Sequence, residues 1–484
     1  MAGLGAWLLA AGRFGAERGS TSPVVAKRML RRNLRLARLG LRGGGRYGLH
    51  RARRAFVSAE RHEALDLEFQ IKTAEDVTAE LGNMKGAMMK IGQMASYLDT
   101  GLPQHVRQTM ASLQHDAPPM APELAAEEIR RELGVGPDQL FLEWDEVPIA
   151  SASIGQVHRA LTHDGAAVAV KVQYPGVAEA IESDLRTNDS LFAALRMLFP
   201  GIDTSSITDE LRERLSEELD YELEARNQAY FAEYFEGHPF VHVPPVLSAL
   251  STRRVLTSEL VVGSSFAEVL EWSQEEKDLA AETLFRFSFG AIYRLAAFNG
   301  DPHPGNYLFH EGGRITFLDF GLVKHFSEAD TRLFEALIVN MVVERDYGAF
   351  RREIEIAGLL PPGAPFSDEL IGHYFSYFYD FVLEDREFTF DEDYSAAGVR
   401  QIFETGGEHG ELKKVLNVPS SFVVLQRINF GLLSLFGRLG SRRNWRRIAE
   451  ELWPFVDADP STPMGEQIER WGRESGRRPS YGGL

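Results

Sequence analysis

The sequence contains no cysteine, which excludes disulfide frameworks, thiolate metal sites and cysteine nucleophiles and is compatible with a reducing compartment. It has no stretch of 18 apolar residues free of charge, so an integral membrane span is not expected. The opening MAGLGAWLLAAG is apolar for 12 residues with no basic region before it, unlike a secretory signal. Internal repeats and low-complexity tracts are absent. With 44% hydrophobic and 25% charged residues, wholesale disorder and fibrous classes are excluded as well. What is left is a folded chain of 484 residues, enough for about two to four units of ordinary domain size.

Charge is distributed unevenly. The formal net charge is −18, yet residues 1–54 hold thirteen bases (Lys27 and twelve Arg) and one acid, Glu17. A basic arm on an acidic body points to docking on something anionic. The stretch 27–42, KRMLRRNLRLARLGLR, interleaves Leu and Arg at helical spacing, as a basic amphipathic helix at an anionic membrane surface would. A helix or loose arm without a lipid partner has the same pattern. No nucleic-acid partner is expected, and the expected location is cytoplasmic or peripheral at a membrane.

Beyond residue 56, Val77, Leu81, Met84, Met88, Ile91, Met94 and Leu98 step by three or four along one helix face. Residues 121–135 read as a short polar helix ending near Gly134. The segment from Pro148 to Val172 alternates like strands, with Asp164-Gly165 at a turn. Residues 177–236 read as charged helix, 241–263 as short strands and 275–298 as helix. Residues 301–321 read as loop, hairpin and loop, and the chain beyond 326 as mainly helical. This order predicts an α+β, two-lobed body with helical additions at both ends. Its expected divisions are a basic arm (1–55), a helical extension (56–145), a small lobe with inserted helices (146–265), a large lobe (266–450) and a tail (451–484).

One motif is discounted. Gly43-Gly44-Gly45-Arg46-Tyr47-Gly48 satisfies G-x-G-x-x-G, but no strand precedes it and a flexible linker accounts for it. The strong constellation lies downstream. In Asp301-Pro302-His303-Pro304-Gly305-Asn306 an acid and an amide stand five apart, and Asp319-Phe320-Gly321 follows a hairpin. Kinase-type phosphotransfer needs this order: one Asp (Asp301) to orient or deprotonate the acceptor, an Asn (Asn306) and a second Asp (Asp319) to hold Mg²⁺ against the phosphates of ATP. Lys171, alone in the apolar strand Val168–Val172, supplies the expected cation for the phosphates. Glu224, on a charged helix, supplies its partner. The phosphate loop is expected one strand earlier, in Ala150-Ser151-Ala152-Ser153-Ile154-Gly155-Gln156-Val157. It has a single glycine, Gly155, where a protein kinase has three.

These residues together resemble the UbiB/AarF family of atypical kinases, which support ubiquinone and related isoprenoid-lipid metabolism. Lys90-Ile91-Gly92-Gln93 is similar to the family's K-x-G-Q motif, the segment 150–157 to its Ala-rich nucleotide loop, and Glu218-Leu219-Asp220 to its E-x-D motif. The resemblance spans roughly residues 60–450. It implies a protein-kinase-like fold with the extension lying over the active site, and a hinge at Glu259 to Val262, including Val261, that contacts adenine. It also implies that Lys90 and Gln93 face Glu218 and Asp220 as a latch gating phosphotransfer. An isoprenoid lipid is an implied partner. Two positions depart from the family pattern: Ser151 replaces the usual Ala, and Asn299 stands where a His is common. Altered positioning rather than a dead site is expected from the second. Two other readings fit parts of the pattern: a small-molecule kinase of the aminoglycoside or choline type, and an ATP-gated lipid-binding module without a phosphorylated substrate.

Overall fold

A computed structural model describes residues 122–152, 154–177, 216–395, 397, 409–417 and 420–477. The basic arm, the K-x-G-Q segment with Lys90 and Gln93, and Ser153 lie outside the described residues. By contact pattern the chain divides into Met1–Met84 with Thr187–Thr204, and Lys85–Arg186 with Ser205–Leu484; every described residue falls in the second unit.

The small lobe is built on an antiparallel sheet. Its strands are β1 (Glu143–Trp144), β2 (Ala150–Ser151), β3 (Gly155–Leu161), β4 (Ala167–Gln173) and β6 (Val255–Glu259), and helix α1 (Pro122–Leu133) packs chiefly on β4. The order is β1-β3-β4-β6, with β2 also paired to β3. Period-two alternation sorts β4 cleanly. Val168, Val170 and Val172 are buried with Ala125 and Ile129 of α1, and Lys171 therefore projects from the opposite face. The turn between β3 and β4 places Gly165 at φ +87, which a side-chain-bearing residue adopts only with strain.

Helix α2 (Tyr221–Tyr234) crosses behind β4. Asp220 caps it, its Oδ1 accepting from the backbone N–H of Glu222 and Leu223. Glu224, Asn227, Gln228 and Phe231 follow one another at helical spacing and are all buried. The two-residue strand β5 (Val241–His242) then leads to β6.

The large lobe is organised by α3 (Gln274–Leu295), a helix buried along most of its length. Phe287 stacks on Phe317 with centroids 3.6 Å apart, and Phe285 meets Phe436 and Trp445 in the same core. Arg286 is buried too. It donates to Glu282 at 3.0 Å and to Glu451 at 2.7 and 3.1 Å, and Thr462 completes its set at 3.0 Å.

The helix expected over 275–298 stops at Leu295. Ala296 turns left-handed at φ 46, and Ala297–Asn299 becomes strand β7, pairing antiparallel with β10 (Val323–His325). Tertiary pairing overrides a locally helical pattern there. Strands β8 (Tyr307–His310) and β9 (Arg314–Phe317) form the expected hairpin, and β5 joins β9 in parallel. Helices α4 (Glu328–Ile338), α5 (Tyr347–Ile356), α6 (Asp368–Ser376), α7 (Ser420–Leu439), α8 (Trp445–Glu450) and α9 (Pro463–Glu474) complete the lobe. The architecture is α+β and kinase-like. Among the described residues no helix is long and apolar enough to cross a membrane.

Candidate active site

Three elements converge on one cation. Lys171 Nζ, on β4, lies 2.7 and 2.9 Å from the two carboxylate oxygens of Glu224 on α2, and 3.5 Å from Asp319 Oδ2 in the loop after β9. The Tyr221 ring lies beside it, its centroid 4.9 Å from Nζ. Glu224 is 4% exposed and Lys171 19%, so neither charge is well hydrated and each depends on the other. Burial alone would lower the Lys171 pKa, but Asp319 and Glu224 outweigh it and hold the ammonium well above the ordinary lysine range. Burial raises the Glu224 carboxyl against the pull of Lys171.

The two loops of the large lobe are tied together through backbone and amides. Asn306 Nδ2 donates to the Asp301 carbonyl at 3.1 Å, fixing the turn that separates them. Leu318 N–H donates to the Asn306 carbonyl at 3.0 Å. Asn299 Nδ2 donates to the Asp319 carbonyl at 2.8 Å, while its Oδ1 accepts from Asp301 N–H at 3.3 Å. Gly321 N–H donates to Asp319 Oδ1 at 3.0 Å, and Asn227 of α2 donates to the Phe320 carbonyl at 3.1 Å. Phe320 is fully buried against Phe231, centroids 5.0 Å apart. Asp301, Asn306 and Asp319 are thus parts of one hydrogen-bonded unit, and α2 touches it twice.

The Ala-rich segment is a tight turn. Ala150 pairs with Val157 and Ser151 with Gln156, and Ala152 N–H donates to the Gly155 carbonyl at 2.9 Å. Ala150 and Ser151 are exposed, whereas Ile154, Gly155 and Gln156 are buried. Gln156 turns away to His158, the two side chains 2.8 Å apart. Gly155 is required by close approach: a Cβ there would stand 2.3 Å from the Val172 carbonyl oxygen and 2.9 Å from the Tyr221 hydroxyl.

At the other edge, Glu259 ends β6, and its carboxylate meets His242 at 2.8 Å on the surface. The following segment bridges the lobes, since Leu260 N–H donates to the Ala167 carbonyl and Ser264 N–H to the Phe309 carbonyl. Val261 is half-buried and Val262 exposed.

Of the E-x-D pair, Asp220 is committed through Oδ1 to capping α2, and Glu218 is half-buried at the end of the helical residues 216–218 before it. Tyr221 and Asn227 have parts in this site that the sequence did not announce, and Asn299, noted there only as a departure from His, ties the two loops together. Spacing carried a signal for two: Tyr221 and Asn227 stand three residues either side of Glu224, on its helix face.

The donor set suits a hard cation. Asp319 and Asn306 offer carboxylate and amide oxygen, and among the described residues no group of three or more His, Cys, Asp or Glu could hold a metal alone. Magnesium is commonly bound in this way, by one or two protein oxygens plus phosphates.

A family model described as ABC1 atypical kinase-like domain matches residues 112–353. The chain is 30% identical over 285 residues to the mitochondrial atypical kinase COQ8 of Saccharomyces cerevisiae, covering 58% of this chain and 57% of that protein. It is 34% identical over 254 residues to mouse AarF domain-containing protein kinase 1, covering 50% and 48% respectively. The chain spans about half the length of the curated relatives it matches. A solved structure of similar fold, titled as the complex of Rv3197 with erythromycin from Mycobacterium tuberculosis, has a TM-score of 0.59 and 30% identity, over 81% of this chain and 98% of that one. A kinase-like pair of lobes, an ion-paired lysine between them and this family match lead to one assignment: the chain belongs to the ABC1 family of atypical kinase-like proteins, the UbiB/AarF group.

Proposed function

We propose that this protein binds MgATP between its lobes and acts as an atypical kinase or ATPase. The observation that supports this most is the convergence of Lys171, Glu224 and Asp319, contributed by three separate elements. In this reading Lys171 holds the nucleotide phosphates, Glu224 fixes Lys171, and the 150–157 turn and the 259–262 segment frame the nucleotide. Asp301 orients or deprotonates the acceptor. Asn306 and Asp319 hold Mg²⁺, which when bound neutralises phosphate charge.

The pathway reading rests on the relatives: support of ubiquinone or related isoprenoid-lipid metabolism, with the basic arm as a contact to an anionic membrane. In the same reading the K-x-G-Q extension, through Lys90 and Gln93, gates phosphotransfer against Glu218 and Asp220.

The test follows radiolabelled γ-phosphate from ATP with the full chain and its Asp319→Asn variant. Mg²⁺-dependent release or transfer by the wild type, lost in the variant with its thermal melt unchanged, is expected. Wild-type rates in the variant overturn the site assignment. Label on protein, on lipid or only as free phosphate identifies the acceptor.

A further inference from the structure

Away from the nucleotide cleft, the large lobe holds a partly open cavity of about 230 Å³. Phe289 and Ile292 of α3, Ile338 at the end of α4, Phe378, and Asn429 and Leu433 of α7 stand in its wall. The other described residues around it are almost all aromatic or aliphatic. Close-packed interiors leave few voids larger than a water molecule, so an aromatic-walled space of this size needs a reason.

Its polar groups are few, and a buried water needs about two to four polar partners. Tyr377 and Tyr394 also line the space, but their hydroxyls are spent on each other's backbone carbonyls, at 3.2 and 3.4 Å. Tyr293 and Tyr379 line the space as well, and Asn429 adds an amide. Its Oδ1 is buried and accepts no hydrogen bond, a state that costs free energy unless a donor arrives. The wall is also irregular: directly after Ile338, residues Val339–Val343 form one wide π-type turn, a feature found often at functional sites.

We propose that this cavity is a binding site for a small apolar molecule, roughly ten heavy atoms at interior packing density, that carries one hydrogen-bond donor for Asn429. The rings and branched side chains supply dispersion contacts, and the Asn429 acceptor sets orientation and selects against pure hydrocarbon. An apolar cavity of about 150 Å³ is enough to take up benzene, so the space is adequate without rearrangement. This site is separate from the nucleotide reading and does not depend on it.

The experiment uses the full chain with indole, which has one N–H donor, and indene, its isostere without that donor. Calorimetry and thermal melting read binding. Saturable indole binding, at least tenfold tighter than indene and raising Tm, is expected. Asn429→Leu should keep indene binding and erase the preference for indole. Leu433→Phe should fill the space and abolish binding of both probes. No saturable binding by the wild type, equal affinity for the two probes, or indole binding unaltered in both variants overturns the proposal. If a variant fails to fold, the wild-type ratio of indole to indene decides alone.

Discussion

Asn299 Nδ2 donates to the carbonyl oxygen of Asp319 at 2.8 Å, so a residue two before Asp301 holds the backbone of the loop that carries Asp319. Its own Oδ1 receives the Asp301 N–H. This one amide, beside the bond from Leu318 N–H to the Asn306 carbonyl, ties together two loops that are remote in sequence. A residue that departs from the usual histidine still provides the inter-loop donor.

Asn299→Ala should leave the fold nearly intact and lower turnover of ATP. A single intramolecular hydrogen bond contributes about 1 kcal/mol to stability, a modest share of the total. Misplacement of a reacting group by about 1 Å, in contrast, can cost on the order of a hundredfold in rate. The expected outcome is a fall in kcat of tenfold or more with Tm changed by a few degrees, and partial recovery in Asn299→His. Equal kcat in the alanine variant would show that the loops hold their spacing without this bond.

Glu224→Gln should leave Lys171 as a partly buried cation with only Asp319 nearby. Breaking a buried ion pair from one side costs about 3–5 kcal/mol, whereas removing both charges is much milder. A double-mutant cycle of Glu224→Gln with Lys171→Met, read by chemical denaturation, should therefore be strongly non-additive. Nucleotide affinity should fall in both single variants. Additive effects would place the two charges in independent surroundings.

Gly431 of α7 packs directly on the loop holding Asp301: a Cβ at this position would stand 2.2 Å from Pro302 Cγ. Gly431→Ala gains about 1 kcal/mol of helix propensity but forces the rigid proline ring aside, an overpacking cost of about 1–3 kcal/mol. The two nearly cancel in stability while the loop moves. Steady-state kinetics should show reduced kcat, and the melt should change little. Unchanged kcat would mean that Pro302 shifts without carrying Asp301.

His238 gives a pH dependence. Its Nδ1 accepts from the backbone N–H of Phe240 and Val241 at 3.2 and 2.9 Å. Burial, with Arg294 and Arg286 adding to it, lowers its pKa from the usual value to about 3. The unfolded chain, with a pKa near 6.5, then binds a proton that the folded chain refuses. Stability from this group is complete above about pH 6.5 and falls as pH drops toward 3, by at most about 1.4 kcal/mol per pH unit. Denaturation at pH 7, 6 and 5 should show a flatter profile for His238→Gln than for the wild type.

The site's motifs were legible because each is local. The Asp301–Asn306 spacing, the β8–β9 hairpin and the lone Lys171 in an apolar strand are set within a few residues, and periodicity also showed that β4 has two faces. Other features were not legible because their partners are remote. Ala297–Asn299 reads as helix until Val323–His325 pairs with it. Gly155 reads as a flexible phosphate-loop glycine, yet it is required by Val172 and Tyr221. Asp220, which reads as half of a latch, also caps α2 through partners only two and three residues on, and the K-x-G-Q side of that latch lies outside the described residues. Nothing in the local sequence marks Gly431 as the neighbour of Pro302.

The buried Arg286 has a consequence for the order in which the chain is made. Its carboxylate partner Glu282 is four residues away, but Glu451 and Thr462 follow 165 and 176 residues later. Chains emerge from the ribosome N-terminal end first, at about 5–20 residues per second. For roughly ten seconds or more, α3 therefore exists with Glu282 alone to satisfy its guanidinium, and sealing it in the core during that interval is unfavourable. The centre of the large lobe is thus the first long helix of that lobe to be synthesised and among the last parts to close.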